Sequence, residues 1–303
     1  MPHMVSKPVY WLLGTLGSLL ATPVYSLTIF ACEPEWALLA KELAPQAKVI
    51  QATHAYQDPH YIEARPSLIS AFRRADLAIC TGAEMEIGWL PALQQRAGNA
   101  RLRDGQPAMI YAADAVETID KQETHFLQTG HIHAQGNPHF QLDPTRFVPV
   151  AALISQRLIA LDPDNAANHL RQHRAWHSQW LDHIARWENS SQVLKGKRVV
   201  VQHSIFDYLI RFTAMEKVAD LEPEPGVPPT ISHLQKVQQQ VSAAPPDGIL
   251  RAWYQDEKSS QWLAKRIDRP VLDLPASPDP NQAQMSSLAG WFDLIFSRLH
   301  ALN

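Results

Sequence analysis

The feature that most constrains this chain is a regular alternation of short apolar runs with stretches of helical spacing. Leu27 to Ala31, Lys48 to Ala52, Asp76 to Cys80 and Ala108 to Ala112 are short runs bounded by turn residues, the pattern of buried strands. Between them Trp36, Leu38 and Leu39, then Leu68, Ile69 and Phe72, mark helical faces. Parallel neighbours need crossovers of this kind, so the pattern predicts a βα succession. It pauses for two helical stretches: one from Pro144 to Ala160, with Phe147, Val150, Ala151, Ile154 and Leu158 on one face, and a longer one to about Glu188. It then resumes with Arg198 to Gln202, Val218 to Leu221, Gly248 to Trp253 and Pro270 to Leu274, and ends on an amphipathic helix, Met285 to Leu302. The expected fold is α/β, with two βα lobes of mostly parallel sheet at residues 27–142 and 191–303 and linking helices at 143–190.

At 303 residues and 46% hydrophobic content, the chain is long enough to bury a core in each lobe. A net charge of -3 leaves no basic surface of the kind nucleic acid requires. Residues 1–26 read as a signal peptide: Lys7, an apolar run from Val9 to Ala21, then Val24-Tyr25-Ser26 before the expected cleavage. The run is broken by Gly14 and Gly17 and falls short of the ~20 residues a bilayer span needs. An exported, soluble protein is expected, with no cysteine placed for lipid attachment. Export gives the two cysteines meaning, because disulfides persist outside the cytoplasm. Cys32 and Cys80 stand near the ends of two predicted strands. If those strands are neighbours the pair can form a bridge, and otherwise they are two buried thiols.

Three histidines at turn-type boundaries carry the chemistry: His60 in Asp58-Pro59-His60, His139 in Asn137-Pro138-His139, and His203 directly after the strand ending at Gln202. In open α/β sheets ligands sit outside the carboxyl ends of strands, where His60 and His203 fall. Three imidazoles and one carboxylate make a closed tetrahedral zinc site. Asp58, Glu63, Asp143 and Asp207 lie close by in sequence as acceptors for the other ring nitrogens. The segment 122–139 adds His125, His131 and His133 as an auxiliary metal loop, to be weighed against a solvated polar loop. His169, His173 and His177, spaced four apart, read as a solvated helix face beside the stripe Trp176, Trp180 and Trp187, and His54 as a support for His60. HExxH, GxSxG, the phosphate-binding loop and GxGxxG are absent from the sequence. No catalytic residue is assigned. An exported zinc hydrolase with an open fourth position remains a rival reading.

The separate motifs also carry a resemblance. Asp58-Pro59-His60 with Pro66-Ser67, Ala75-Asp76-Leu77 leading to Thr81-Gly82-Ala83-Glu84 and Trp89-Leu90-Pro91, Asn137-Pro138-His139 with Leu142-Asp143-Pro144, Leu161-Asp162-Pro163, His203 with Phe206 and Tyr208, Leu221-Glu222-Pro223 and the final Leu274-Pro275 follow one another in order. In this the chain resembles the cluster A-I substrate-binding proteins of zinc and manganese ABC importers, from Leu27 nearly to the C-terminus. The resemblance implies two lobes joined by one long rigid helix, with the metal held between them. It implies His60, His139 and His203 as metal ligands, and Asp279, in the loop after the last strand, as the fourth. Glu222, Asp256 or a water are the alternatives, because the loop around Asp279 departs from the glycine-containing pattern. Manganese-selective members have a carboxylate at the third position; the imidazole of His203 favours Zn²⁺.

The function expected is capture of Zn²⁺ and its delivery to a membrane ABC permease, by a monomer that makes and breaks no bond in a substrate. A periplasmic metallochaperone is a further expected partner, with the histidine loop as the place of transfer. A manganese or iron carrier of the same fold is the alternative.

Overall fold

In the computed structural model, which describes residues 26–121, 134–223 and 227–303, the alternation becomes two parallel sheets. The first half of the chain supplies β1 (Thr28–Ala31), α1 (Pro34–Leu43), β2 (Lys48–Gln51), α2 (Pro66–Arg74), β3 (Leu77–Cys80), α3 (Leu90–Ala97) and β4 (Met109–Tyr111). Two helices follow, α4 (Phe147–Leu161) and α5 (Ala166–Ser190). The second half supplies β5 (Arg198–Val201), α6 (Asp207–Phe212), β6 (Glu216–Asp220), α7 (Ile231–Ser242), β7 (Gly248–Ala252), α8 (Lys258–Ile267), β8 (Val271–Leu274) and α9 (Leu288–Leu299). The sheets repeat one topology, β2-β1-β3-β4 and β6-β5-β7-β8, and all six strand pairings are parallel. Strand ends fall within two residues of the sequence expectation.

Local chemistry sets the element ends. Pro34, Pro66 and Pro91 occupy the first turns of α1, α2 and α3, where a missing N–H costs nothing. Gly98 ends α3 in the left-handed conformation at φ 65°. The interiors of β1, β3, β5 and β7 are almost entirely buried, which is why they read as continuous apolar runs and not as alternating ones.

The long helix α5 joins the lobes. Its 25 residues span roughly 38 Å at 1.5 Å per residue. It packs against α4, α1 and α9, and each tryptophan of its buried stripe is also pinned by its indole N–H: Trp176 donates to Glu42 Oε2, Trp180 to the Pro144 carbonyl and Trp187 to Asp293 Oδ1. Phe292 of α9 lies 5.8 Å from Trp180 and 5.0 Å from Trp187, ring centre to ring centre. One continuous core therefore runs from the first sheet through α5 and α9 into the second. His169 corrects the expectation of a solvated face: it is buried and bonded through Nε2 to Asp162 Oδ2 at 3.0 Å, because α4 ends at Leu161 just where α5 returns past it.

Cys32 and Cys80 form a disulfide with Cα atoms 4.8 Å apart. Ala31 pairs with Ile79 in the register between β1 and β3, which puts the next residue of each strand directly opposite the other.

Candidate metal centre

The imidazoles of His60, His139 and His203 converge between the lobes. Their ring centres lie 5.5 Å apart for His60 and His139 and 5.8 Å for His139 and His203. Each is placed by a separate local device.

His60 follows β2 in a tight turn closed by Asp58, whose Oδ1 accepts from both the backbone N–H of His60 (3.0 Å) and its Nδ1 (2.7 Å). With Nδ1 as the hydrogen donor in that bond, Nε2 is the ring nitrogen through which such a histidine would bind a metal. Trp89 Nε1 donates to the Pro59 carbonyl. A Cβ on Gly88 would stand 3.1 Å from the His60 carbonyl oxygen, so the chain passes His60 closely because residue 88 has no side chain. Burial raises the Asp58 carboxyl, but its hydrogen bonds and charge interaction with His60, and then the nearby His203, outweigh this and hold it below the usual range.

His139 is the buried member, 2% exposed. Asn137 Oδ1 accepts its backbone N–H at 2.9 Å, and Asn137 Nδ2 donates across to the Ser204 carbonyl of the second lobe, also at 2.9 Å. Tyr208 O–H donates to the Asn137 carbonyl. The Asn137-Pro138-His139 motif is thus a bracket that positions His139 and ties the lobes together.

His203 directly follows Gln202, which ends the extended run of β5, and Glu222 follows the neighbouring β6; the backbone N–H of Glu222 donates to the Gln202 carbonyl. Glu222 Oε2 then lies 2.9 Å from His203 Nδ1. Of the acceptors expected from the sequence, Asp58 holds His60 as anticipated, and the other three behave differently. Asp143 accepts from the N–H and Oγ of Thr145, Asp207 pairs with Lys217, and Glu63 is exposed. His54 likewise accepts from the Tyr56 N–H in an exposed turn. Glu222, an alternative ligand in the sequence reading, is placed beside His203 by the pairing of β5 and β6.

Asp279 is half-buried in the loop after β8. Its Oδ1 accepts from the N–H and side chain of Asn281 and its Oδ2 from Gln282 Nε2, and Gln282 also donates to the Tyr56 hydroxyl of the first lobe. Tyr56 stacks on Trp253 at 5.4 Å. In this arrangement Asp279 organises a contact between the lobes. His125, His131 and His133 lie outside the described residues.

His60 and His203 line a cleft of about 730 Å³ between the lobes. Tyr254 also lines it, and burial, followed by the charges of Asp58, Glu222 and Glu35, raises its phenol well above the ordinary value. It stays protonated in a cleft that Asp58 and Glu222 also line, a placement that nothing in the spacing of the sequence announced.

A second group of ligand-type atoms sits under the first sheet. The sulfurs of Cys32 and Cys80 and a Glu86 oxygen lie within 4.8 Å of one another. Metal ligation by cysteine needs thiolate, and sulfurs bonded to each other have none to offer. The group instead belongs to a buried acid cluster. Glu86 accepts from the N–H groups of Thr81 and Gly82, and Glu33 accepts from Thr81 Oγ1. The turn that makes this cradle carries left-handed φ at Gly82, Ala83 and Glu84. Burial raises both Glu33 and Glu86, which are hydrogen-bonded to each other, and pushes Glu35 up to about 8. Glu33 and Glu35 stand just ahead of and within the proline-initiated α1, and Glu86 in the turn after β3, contexts that read as exposed from sequence.

Known proteins share this chain's sequence pattern and fold. Residues 29–302 match the profile of the family described as the zinc-uptake complex component A, periplasmic, ZnuA. The high-affinity zinc uptake system protein ZnuA of Yersinia pestis is 24% identical over 195 residues, 60% of this chain and 61% of that protein. The chain thus matches about three-fifths of that relative's length. Among solved structures, one described as ZnuA superposes with a TM-score of 0.74 at 18% identity, covering 92% of this chain and all of that one. The manganese-bound periplasmic metal-binding protein of Candidatus Liberibacter asiaticus superposes with a TM-score of 0.72 at 14% identity, covering 92% of this chain and all of that one. At these identities the structural likeness shows the fold.

Proposed function

The chain belongs to the ZnuA family of periplasmic, metal-binding components of ABC importers, which are binding proteins and not enzymes, and from that premise we propose that it captures Zn²⁺ on His60, His139 and His203 and hands it to a membrane permease. The observation that carries this is the convergence of three imidazoles from three separate segments, with His60 and His203 each oriented by its own carboxylate, Asp58 and Glu222. Neutral imidazole suits zinc, and a site of three such ligands with no carboxylate among them disfavours manganese. The ligands supply no net charge, so Asp58 and Glu222 offset the dipositive ion from one bond further out.

Asp279, proposed from the resemblance as the fourth ligand, has its oxygens engaged by Asn281 and Gln282. We assign it to holding the loop against Tyr56, and the fourth position to the cleft. The proposed chemistry is reversible ligation: metal and protons compete for the same ligand atoms, so acid weakens binding. The protein acts as a monomer in this reading. Transfer from a metallochaperone through His125, His131 and His133 remains a proposal, tested by deleting that loop and timing zinc loading.

Elemental analysis of protein equilibrated with mixed Zn²⁺ and Mn²⁺ tests the assignment. One zinc per chain is expected, lost in each of His60→Ala, His139→Ala and His203→Ala. Retention of zinc in all three, or manganese in the unmodified protein, overturns it.

A further inference from the structure

The packing of α5 leaves two of its histidines without a polar partner. His169 is engaged, with Nε2 on Asp162 and Nδ1 buried. His183 is met by the Arg186 guanidinium and stacks on Trp187 with ring centres 5.5 Å apart. Elsewhere among the described residues, His54, His233 and His300 each have a ring nitrogen in a hydrogen bond. His173 and His177 form none.

These two rings sit beside each other across one turn of helix. Positions four apart share a helix face, and the ring centres are 6.0 Å apart, against 5.5 and 5.8 Å within the group of His60, His139 and His203. Both residues are half-buried, so part of the side-chain freedom that ligation removes is already lost. Nδ1 of His173 is covered and has no hydrogen-bond partner, which leaves Nε2 as the nitrogen open to an ion. Burial, and then the neighbouring His177, lowers the His173 value and keeps the ring in the neutral form that ligates.

We propose that His173 and His177 form a second site for a borderline divalent cation, a two-imidazole clip across one turn of the helix that joins the lobes, with water completing the coordination. Histidines at this spacing on one helix face are a known way to hold zinc, and imidazole suits ions of this class. The clip is weaker than the three-histidine site: it has two protein ligands, and the exposed Arg174 beside it opposes a dipositive charge. It therefore fills at higher zinc concentration and empties first when excess zinc is removed, so the one tightly held zinc remains. It uses no residue of the cleft and does not depend on the three-histidine reading.

Elemental analysis of the full chain, dialysed against rising free Zn²⁺ until uptake levels off, tests this as a difference between variants. The unmodified protein is expected to take up one more zinc per chain than His173→Ala or His177→Ala at that concentration. Two imidazoles on one rigid helix bind as a unit, so losing either should raise the half-saturating zinc concentration of that step on the order of 100-fold. Alanine is the strongest helix former, so both variants keep α5. The histidines of residues 122–133 are present in every variant and cancel in the difference. His177→Ala combined with Ser178→His keeps the histidine count but moves the second ring off the face of His173, and it should bind as weakly as His177→Ala. The same one-zinc difference is expected in a His139→Ala background, which disables the three-histidine site. Equal zinc content in unmodified and variant proteins, recovery of zinc in the relocated variant, or disappearance of the difference in the His139→Ala background each overturns the proposal.

Discussion

His203 Nδ1 and Glu222 Oε2 lie 2.9 Å apart, at the carboxyl ends of adjacent strands whose backbones remain hydrogen-bonded through Leu221 and Glu222. The sheet itself therefore sets the orientation of His203. Outer carboxylates of this kind raise ligand basicity, and their loss typically costs 10–100-fold in metal affinity. Glu222→Ala is expected to weaken zinc binding within that range without changing the saturating stoichiometry, as measured by competition with a chromophoric chelator. An unchanged affinity would show that Glu222 does not orient His203.

Asn137 joins the placement of His139 to the seam between the lobes. Asn137→Ala removes the acceptor for the His139 N–H and the donor to Ser204, leaving a buried N–H unmatched at a cost of about 1–3 kcal/mol. Chemical denaturation should show that loss, and zinc affinity should fall with it. A stable variant with normal affinity would contradict the bracket.

The disulfide is structural in this account. It closes a separation of 48 residues, for which the chain-entropy relation gives about 4 kcal/mol. Cys32→Ser combined with Cys80→Ser should lower stability by about 2–4 kcal/mol while zinc stoichiometry stays at one. Loss of the zinc from otherwise folded variant protein would contradict a purely structural role for the bridge.

Glu35 makes stability depend on pH. Burial pushes its folded-state value up to about 8, against roughly 4.3 in an unfolded chain. Below the lower value both states are protonated and the residue carries no penalty. Between the two the unfolded chain is ionised and the folded one is not, so the unfolded state binds fewer protons and stability falls as pH rises. Glu33 and Glu86 are raised in the same sense, so Glu35→Gln should make the slope shallower without abolishing it, gaining on the order of a few kcal/mol relative to the unmodified protein by pH 8. Thermal melts from pH 5 to 8 check this, and equal slopes would contradict it.

Much of the architecture was legible because buried parallel strands write themselves as uninterrupted apolar runs, as in Leu77-Ala78-Ile79-Cys80, and proline marks where helices begin. The three histidines were legible because each follows a turn or strand end. Their supports were harder to read. Asp143 and Asp207 are near the histidines in sequence but point into their own turns and ion pairs, whereas Glu222 reaches His203 through strand pairing. Proximity in a parallel sheet comes from register between strands, not from spacing along one. Glu33, Glu35 and Glu86 hid for a related reason: carboxylates read as surface until the turn at Thr81 and Gly82 is folded around them. His169 was misread because only the return of α5 past the end of α4 brings Asp162 to it.

The central claim is that one zinc sits among His60, His139 and His203, and anomalous diffraction from crystals of zinc-loaded protein at the zinc absorption edge tests it most directly. The account predicts a peak about 2.0–2.1 Å from an imidazole nitrogen of each of the three histidines. A principal peak elsewhere, or one that any of the three does not approach, would contradict it.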